Sequence, residues 1–336
     1  MRRKSQTLTP PSPKGGGIQI QTPSPGASPT RRGVGEGHTP SGAPEEGGEG
    51  GAGLHLGLVG YPLGHSLSPK LHEAALAALN LPGEYRLYPV RPLPEGQVRL
   101  AELLDQMRKG NLHGLNVTIP HKQNVLSLLD ELTPTAAAIG AANLIYLKAG
   151  RLTGDNADAA GFLADLQRNG LAAPPSGRRI ALVLGAGGST RAVVYALVNA
   201  GWQVWIAARR VEQASALAAS LRGPQPAIHV LPLQADALTG DYDLVVNTTP
   251  LGMFPDVTSN PWPAELPLPG GAGVYDLVYN PSETTLVRQA RRAGLCAANG
   301  LGMLVEQAAV AFATWTGQDT PLSAMWAAVD PQKENP

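Results

Sequence analysis

Cysteine, net charge and long apolar runs are what this chain lacks. Its 336 residues include one cysteine, Cys296. That excludes an intrachain disulfide and a zinc cage built from cysteines. No cluster of histidine, cysteine and acidic residues at ligand spacing is present either, so no metal is expected. A single thiol suits a reducing compartment, and a cytoplasmic location is the matching expectation. Lys plus Arg and Asp plus Glu number 26 each, giving a formal net charge of zero. Nucleic-acid binders carry a basic excess, so no nucleic-acid partner is expected. No apolar stretch approaches the roughly 18 residues of a membrane span. No internal repeat is apparent. Nothing global fixes the oligomeric state, and a homodimer is left open.

Glycine and proline are plentiful but unevenly spread. Residues 1 to about 53 read PPSPKGGG, TPSPGASPT and GEGHTPSGAPEEGGEGG, with only isolated large apolar residues such as Ile18, Ile20 and Val34. Such a segment cannot bury enough surface to offset its ordering entropy, and disorder is expected. It has no apolar core of a secretory signal. Arg2, Arg3, Lys4, Arg31 and Arg32 give it a basic start, but the later Glu cluster argues against a transit peptide. A functional tail and an over-extended start site both fit.

Order is expected from Leu54. LHLGLVG reads as a buried strand, LSPKLHEAALAALNL as a helix, EYRLYPV as a strand and RLAELLDQMRKGN as a helix. GLNVTIP follows as strand into loop, HKQNVLSLLDEL as a helix and ANLIYLKAGRLTGDN as a hairpin-like pair. Alternating strands and helices predict a mostly parallel α/β sheet for residues 54–158. A second α/β unit covers 159–300. RRIALVLGAG runs into a glycine turn and the helix GGSTRAVVYALVNAG. The strand QVWIAARR, the helix EQASALAASL and the strands AIHVLPL, DYDLVVNTTP and GAGVYDLVY come next, then the helix SETTLVRQARRAG. GMLVEQAAVAFATWTG and PLSAMWAAV read as final helices. The fold class is α/β, with two α/β domains.

Gly185, Gly187 and Gly188 lie between a strand and a helix. Glycines there let the backbone turn tightly and approach a dinucleotide pyrophosphate, while the helix N-terminus offers N–H groups and a positive dipole end. Thr190 replaces the third glycine of the common fingerprint. The next strand ends in Arg209 and Arg210 with no acid before Glu212. NAD sites place an acid there and NADP sites an arginine, whose guanidinium matches a phosphate. The expected cofactor is therefore NADP, held in a Rossmann-type domain.

Further polar blocks occur in order: GYPLGHSLSP with Ser66 and Ser68, NVTIPHK with Asn116, Thr118 and Lys122, GAAN with Asn143, and TGDNADAAGF with Asn156 and Asp158. GAGGSTR, NTTPLGM, YDLVYNP and GLGMLVEQAA complete the series. Together they resemble the shikimate dehydrogenase family across roughly residues 54–325. The resemblance implies an N-terminal substrate domain, residues 54–158, completed by returning C-terminal helices, residues 301–330. It implies an NADP domain over 159–300. It further implies reversible NADPH-dependent reduction of 3-dehydroshikimate to shikimate, in the route to chorismate and aromatic amino acids. Carried onto this chain, Lys122 and Asp158 are the catalytic pair. Ser66, Ser68, Thr118, Asn143, Asp158, Tyr279 and Gln307 hold substrate. Gly185, Ala186, Gly187, Gly188, Ser189, Arg209, Arg210, Thr249, Met253 and Gly300 hold the cofactor.

The residue types suit the chemistry on their own terms. Hydride delivery to a ketone leaves an alkoxide that needs a proton and electrostatic stabilisation, and a lysine ammonium supplies both. Serines and a threonine are neutral partners for a polyhydroxy acid. Singly, each has a plainer reading: Lys122 as a solvated lysine, Asp158 as a helix cap, Ser66 and Ser68 as turn residues. The family's pattern is also broken in places. Leu144 stands where a threonine is usual, Ala157 replaces another hydroxyl, and Ala208 and Gln213 depart from the NADP block. Two alternatives stay open: a quinate/shikimate enzyme of broader specificity, and a non-catalytic NADP-binding sensor, which would predict loss of the lysine or the aspartate. Gly300 and Gly302, where the chain crosses back, are expected to act as flexible pivots for cleft closure.

Overall fold

Six strands form the first sheet: β1 (Leu54–Gly60), β2 (Gly83–Pro89), β3 (Gly114–Val117), β4 (Glu131–Leu132), β5 (Leu144–Lys148) and β6 (Arg151–Asp155). The computed structural model describes residues 53–221 and 228–330, so the expectation of a disordered leading segment lies outside the described residues. The strand order is β2-β1-β3-β5-β6-β4. β1 runs parallel to β2 and β3, whereas β5 is antiparallel to both β3 and β6. The sheet is thus mixed rather than mostly parallel. The cause is local: Ala149 and Gly150, at φ 49° and 75°, make a two-residue turn that returns the chain at once. A turn that short can only join antiparallel strands.

One face is covered by α2 (Gln97–Arg108), whose Leu100, Leu103, Leu104 and Met107 pack on Leu115, Val117, Ile145 and Leu152. That spacing is one helical face. On the other face lie α1 (Ser68–Ala78), α8 (Leu301–Thr316) and α9 (Leu322–Ala328), joined by Leu71, Leu76, Val305, Phe312 and Met325. The C-terminal helices do return to the first half.

HKQNVLSLLDEL does not form the expected helix. It gives a short 3-10 turn, Asn124–Leu128, and then β4. Glu131 and Leu132 pair with Thr153 and Gly154, and the Lys122 carbonyl accepts the Ala142 amide instead of a helical one. Tertiary pairing overrides local pattern here. Conversely, α3 (Pro134–Ile139) was not anticipated. Its signals are present in the sequence: Thr133 accepts from the Ala136 amide, proline opens the first turn, and Gly140 closes it at φ 68°.

The second sheet comprises β7 (Ile180–Leu184), β8 (Gln203–Ala208), β9 (Ile228–Pro232), β10 (Leu244–Asn247), β11 (Gly273–Asp276) and β12 (Ala297–Asn299). The order is β12-β11-β10-β7-β8-β9, all parallel. IALVL and LVVN are almost wholly buried, as strands covered on both faces must be. α4 (Asp158–Arg168), α5 (Gly188–Asn199), α6 (Val211–Ser220) and α7 (Thr285–Arg292) flank this sheet. The strand order reverses at β7, with β8 on one side and β10 on the other. The crevice beyond the carboxyl ends of these strands is where such sheets bind ligands.

Gly300 and Gly302 both sit where a side chain would meet packed neighbours. A Cβ on Gly300 would overlap the Leu277 carbonyl, and one on Gly302 the Asp165 carboxylate. Neither glycine has a positive φ. Asp165 is buried; it accepts from the Tyr275 hydroxyl at 2.6 Å and from the Met303 backbone. These contacts clamp the start of α8 onto α4 and β11.

Candidate active site

The end of β1 leads into a loop that carries Ser66 and enters α1 at Ser68. The Ser66 hydroxyl accepts from the Ser68 amide at 3.3 Å, and Pro69 fits the first turn of α1. The end of β3 presents Thr118, whose amide donates to the Val59 carbonyl at 2.9 Å, so both strand ends face one place. Lys122 follows one turn later. Its ammonium donates to Asp158 Oδ2 at 2.6 Å, and the two side chains are only 14% and 6% exposed.

Asp158 is fixed from several directions. Asn143 Nδ2 donates to Asp158 Oδ1 at 2.8 Å, and Asn143 Oδ1 accepts from the Ala157 amide at 2.7 Å. The Asp158 amide donates to Asn156 Oδ1 at 3.1 Å, and Asn156 Nδ2 to the Ala141 carbonyl at 2.9 Å. Gln307 reaches in from α8, its Oε1 3.4 Å from Asn143 Nδ2. Of the predicted residues, Lys122, Asp158, Asn143 and Gln307 form one hydrogen-bonded cluster, while Ser66, Ser68 and Thr118 lie on the neighbouring loops beyond β1 and β3. Tyr279, beyond β11, joins them through the backbone of Leu67, which hydrogen-bonds its oxygen; burial pushes its phenol above the usual range. Asn156 and Asn116 had no assigned role. Asn116 proves to be structural, taking the Tyr85 hydroxyl at 2.8 Å and donating to the Asn143 carbonyl at 3.2 Å. Leu144, in place of the usual threonine, is buried within the sheet.

The glycine turn lies beside this pocket. Gly185 has φ 119°, and a Cβ there would press on the Thr248 hydroxyl; Gly187 has open space. A Cβ on Gly188 would lie 3.6 Å from the Lys122 side chain, so the first turn of α5 adjoins the lysine. Thr190, standing where a third glycine is common, is wholly buried. Its hydroxyl accepts from the Gly187 amide at 2.9 Å and meets the Thr248 hydroxyl at 2.7 Å, which donates to the Leu184 carbonyl. It ties helix to strand by hydrogen bonds where glycine would do so by close approach. Ser189 lies in the first turn of α5. Arg209 and Arg210 follow β8 and lead into α6, both exposed and without an ion pair among the described residues. Gln213, the residue departing from the family's basic pattern, donates to the Ala186 carbonyl at 2.8 Å. Thr249 is held by Asn247, and Met253 is 45% exposed on the loop beyond it. Gly300 lies at the far side of the crevice against Leu277.

Comparisons with known proteins identify the family. Residues 58–145 match the shikimate dehydrogenase substrate binding domain, and residues 300–329 the shikimate 5'-dehydrogenase C-terminal domain. A shikimate dehydrogenase (NADP(+)) of Salinibacter ruber is 43% identical over 281 residues, covering 81% of this chain and 95% of that protein. The chain belongs to the shikimate dehydrogenase family. The solved shikimate 5-dehydrogenase of Thermus thermophilus, in complex with NADP(H) and shikimate, is 39% identical with TM-score 0.70, over 82% of this chain and 98% of that one. A quinate dehydrogenase of Corynebacterium glutamicum, in complex with NAD, is 33% identical with TM-score 0.74, over 82% and 98%. As a shikimate dehydrogenase family member the chain is an NADP-linked oxidoreductase of two α/β domains. No helix among the described residues is long and apolar enough to cross a membrane, and no group of three or more metal-ligating side chains is found among them.

Proposed function

We propose that the protein interconverts shikimate and 3-dehydroshikimate with NADP, using Lys122 and Asp158 as the catalytic pair. The observation that carries the assignment is their buried 2.6 Å ion pair, set within reach of the glycine turn. NADP, when bound, accepts or returns the hydride. The glycine turn from Gly185 to Ser189 fits its pyrophosphate, since the backbone is bare there and α5 points its N-terminus at the crevice. Arg209 and Arg210 would take the 2′-phosphate, and Thr249, Met253 and Gly300 would flank the nicotinamide end.

Lys122 gives its proton to the carbonyl oxygen as the alcohol forms, and recovers it in the reverse direction. Asp158 orients the ammonium and accepts a substrate hydroxyl, while Asn143 keeps that carboxylate from turning away. Ser66, Ser68, Thr118, Tyr279 and Gln307 hold the carboxylate and remaining hydroxyls. Burial of the pair strengthens each of these contacts relative to water. Residues 54–158 with 301–330 form the substrate domain, and 159–300 the NADP domain. Cytoplasmic location fits the lone thiol.

The similarity to a quinate dehydrogenase makes quinate the second substrate to test. Purified protein assayed with shikimate and with quinate, each with NADP and NAD, should give its highest kcat/KM for shikimate with NADP. No shikimate-dependent reduction of NADP would end the proposal.

A further inference from the structure

Arg191 lies in the first turn of α5, just beyond the glycine turn, and its guanidinium sits between the end of α3 in the first half and the end of α6 in the second. Its Nη1 donates to the Ile139 carbonyl at 3.1 Å and to the Ser220 hydroxyl at 3.0 Å. Ile139 ends α3, so the guanidinium caps that helix in trans while resting on α6. Gly140 makes the approach possible: a Cβ there would stand 3.0 Å from Nη1, and its φ of 68° is the left-handed conformation that closes α3. No carboxylate pairs with Arg191 among the described residues, and partial burial draws its pKa below the usual arginine value. A half-buried cation bonded only to a carbonyl and a hydroxyl is a costly way to fill space.

What α3 leads to gives the contact its meaning. After Gly140 the chain passes through Ala141 and Ala142 to Asn143. The Ala141 carbonyl takes Asn156, the Ala142 amide donates to the Lys122 carbonyl at 2.8 Å, and Asn143 holds Asp158. The same turn of α5 also adjoins Lys122 through Gly188. The first turn of the cofactor helix therefore adjoins the Lys122 side chain and holds the end of the segment that leads to Asn143, the partner of Asp158.

We infer that Arg191 is a positioning residue that couples cofactor binding at the α5 N-terminus to shikimate binding, by tying α5 to the segment Gly140–Asn143. A pyrophosphate fixing the start of α5 fixes Arg191, hence the end of α3, hence Asn143 and Lys122. Binding of either ligand then prepays ordering that the other would need, which appears as reciprocal tightening. The inference rests on the site assignment proposed above, and its test separates the two.

NADPH and shikimate are both reduced, so they form a ternary complex without turnover. Titration calorimetry on the full chain gives the shikimate dissociation constant with and without saturating NADPH. The wild-type protein should bind shikimate roughly five-fold or more tightly with NADPH present, the lower end of usual coupling. Arg191→Met should bring that ratio to about one, with each ligand alone bound within about three-fold of wild type. Arg191→Lys keeps one donor for the Ile139 carbonyl; its ratio should fall between the two, and this variant carries the test if the methionine variant does not fold. A wild-type ratio of one, or a ratio unchanged in either variant, overturns the inference. Weaker binding of each ligand alone at an unchanged ratio would assign Arg191 a merely structural part and overturns it equally. Failure of the wild type to bind shikimate at all would instead overturn the site assignment and the inference with it.

Discussion

Replacing Lys122 by methionine keeps the stem that packs beside Gly188 and deletes the ammonium. Loss of an acid/base group costs about 10²- to 10⁴-fold in turnover, which corresponds to about 3–5 kcal/mol of activation free energy. A second effect must be separated from it. Asp158, almost fully buried, would lose its 2.6 Å cation partner. Breaking a buried pair costs about 3–5 kcal/mol of stability when nothing else compensates. Here Asn143 Nδ2 still donates to the carboxylate at 2.8 Å, and the Lys122 side chain is 14% exposed, so water can replace the ammonium. The stability loss should therefore stay below that range. Turnover is followed by NADPH absorbance at a temperature well below the variant's melting point, with shikimate varied. kcat should fall at least a hundredfold while the KM for shikimate changes severalfold at most. A Lys122→Met protein that melts normally and keeps near-normal kcat would refute the acid/base assignment outright.

Cofactor variants should divide by what they touch. Arg209→Ala with Arg210→Ala should raise the KM for NADP and leave that for NAD nearly unaltered, whereas Gln213→Ala, which frees the Ala186 carbonyl of the shared pyrophosphate turn, should raise both alike. Equal effects of the arginine pair on both cofactors would contradict their reading of the 2′-phosphate. Asp276 is buried beside Asn247, Thr284 and the Val278 amide, and burial raises its pKa to about 6. The folded state then binds its proton more tightly than the unfolded one, so this group's contribution is most favourable below about pH 4 and is lost as pH rises through about 6. At about 1.4 kcal/mol per pH unit, the loss reaches at most roughly 3 kcal/mol. Asp276→Asn should gain melting temperature relative to wild type on going from about pH 4.5 to about pH 7.5, a span that brackets the folded-state pKa; a difference independent of pH would rule the argument out. Gly302→Ala puts a methyl group into the Asp165 carboxylate and should destabilise by about 1–3 kcal/mol or more, read as a lower urea midpoint; an unchanged midpoint would mean the α4–α8 contact yields easily.

Most strand and helix positions were legible because burial imposes a period. Leu100, Leu103, Leu104 and Met107 announce a helix face, and IALVL and LVVN announce strands covered on both sides. The strand–glycine turn–helix sequence at Gly185–Gly188 was legible because so tight a backbone turn admits few residue types. Helical pattern failed at HKQNVLSLLDEL, where pairing of β4 with β6 and the bond from Ala142 to Lys122 outweighed a weak local preference. β12 was passed over because three residues carry no period. The part Thr190 plays is not visible in the fingerprint, because its hydroxyl bridges Gly187 and Thr248, which lies 58 positions away.

By itself, then, the sequence determined the two α/β halves, the dinucleotide turn and the identity of the residues with chemistry to offer, because periodicity and residue type are local properties. Only the tertiary structure decided that Lys122 and Asp158, 36 positions apart, are an ion pair. It decided likewise that Gln307, 164 positions from Asn143, reaches the same cluster, and that the Asp165 carboxylate packs where a side chain on Gly302 would stand. Those facts depend on which surfaces meet when the sheets and the returning helices pack, and no spacing along the chain encodes a distance across it.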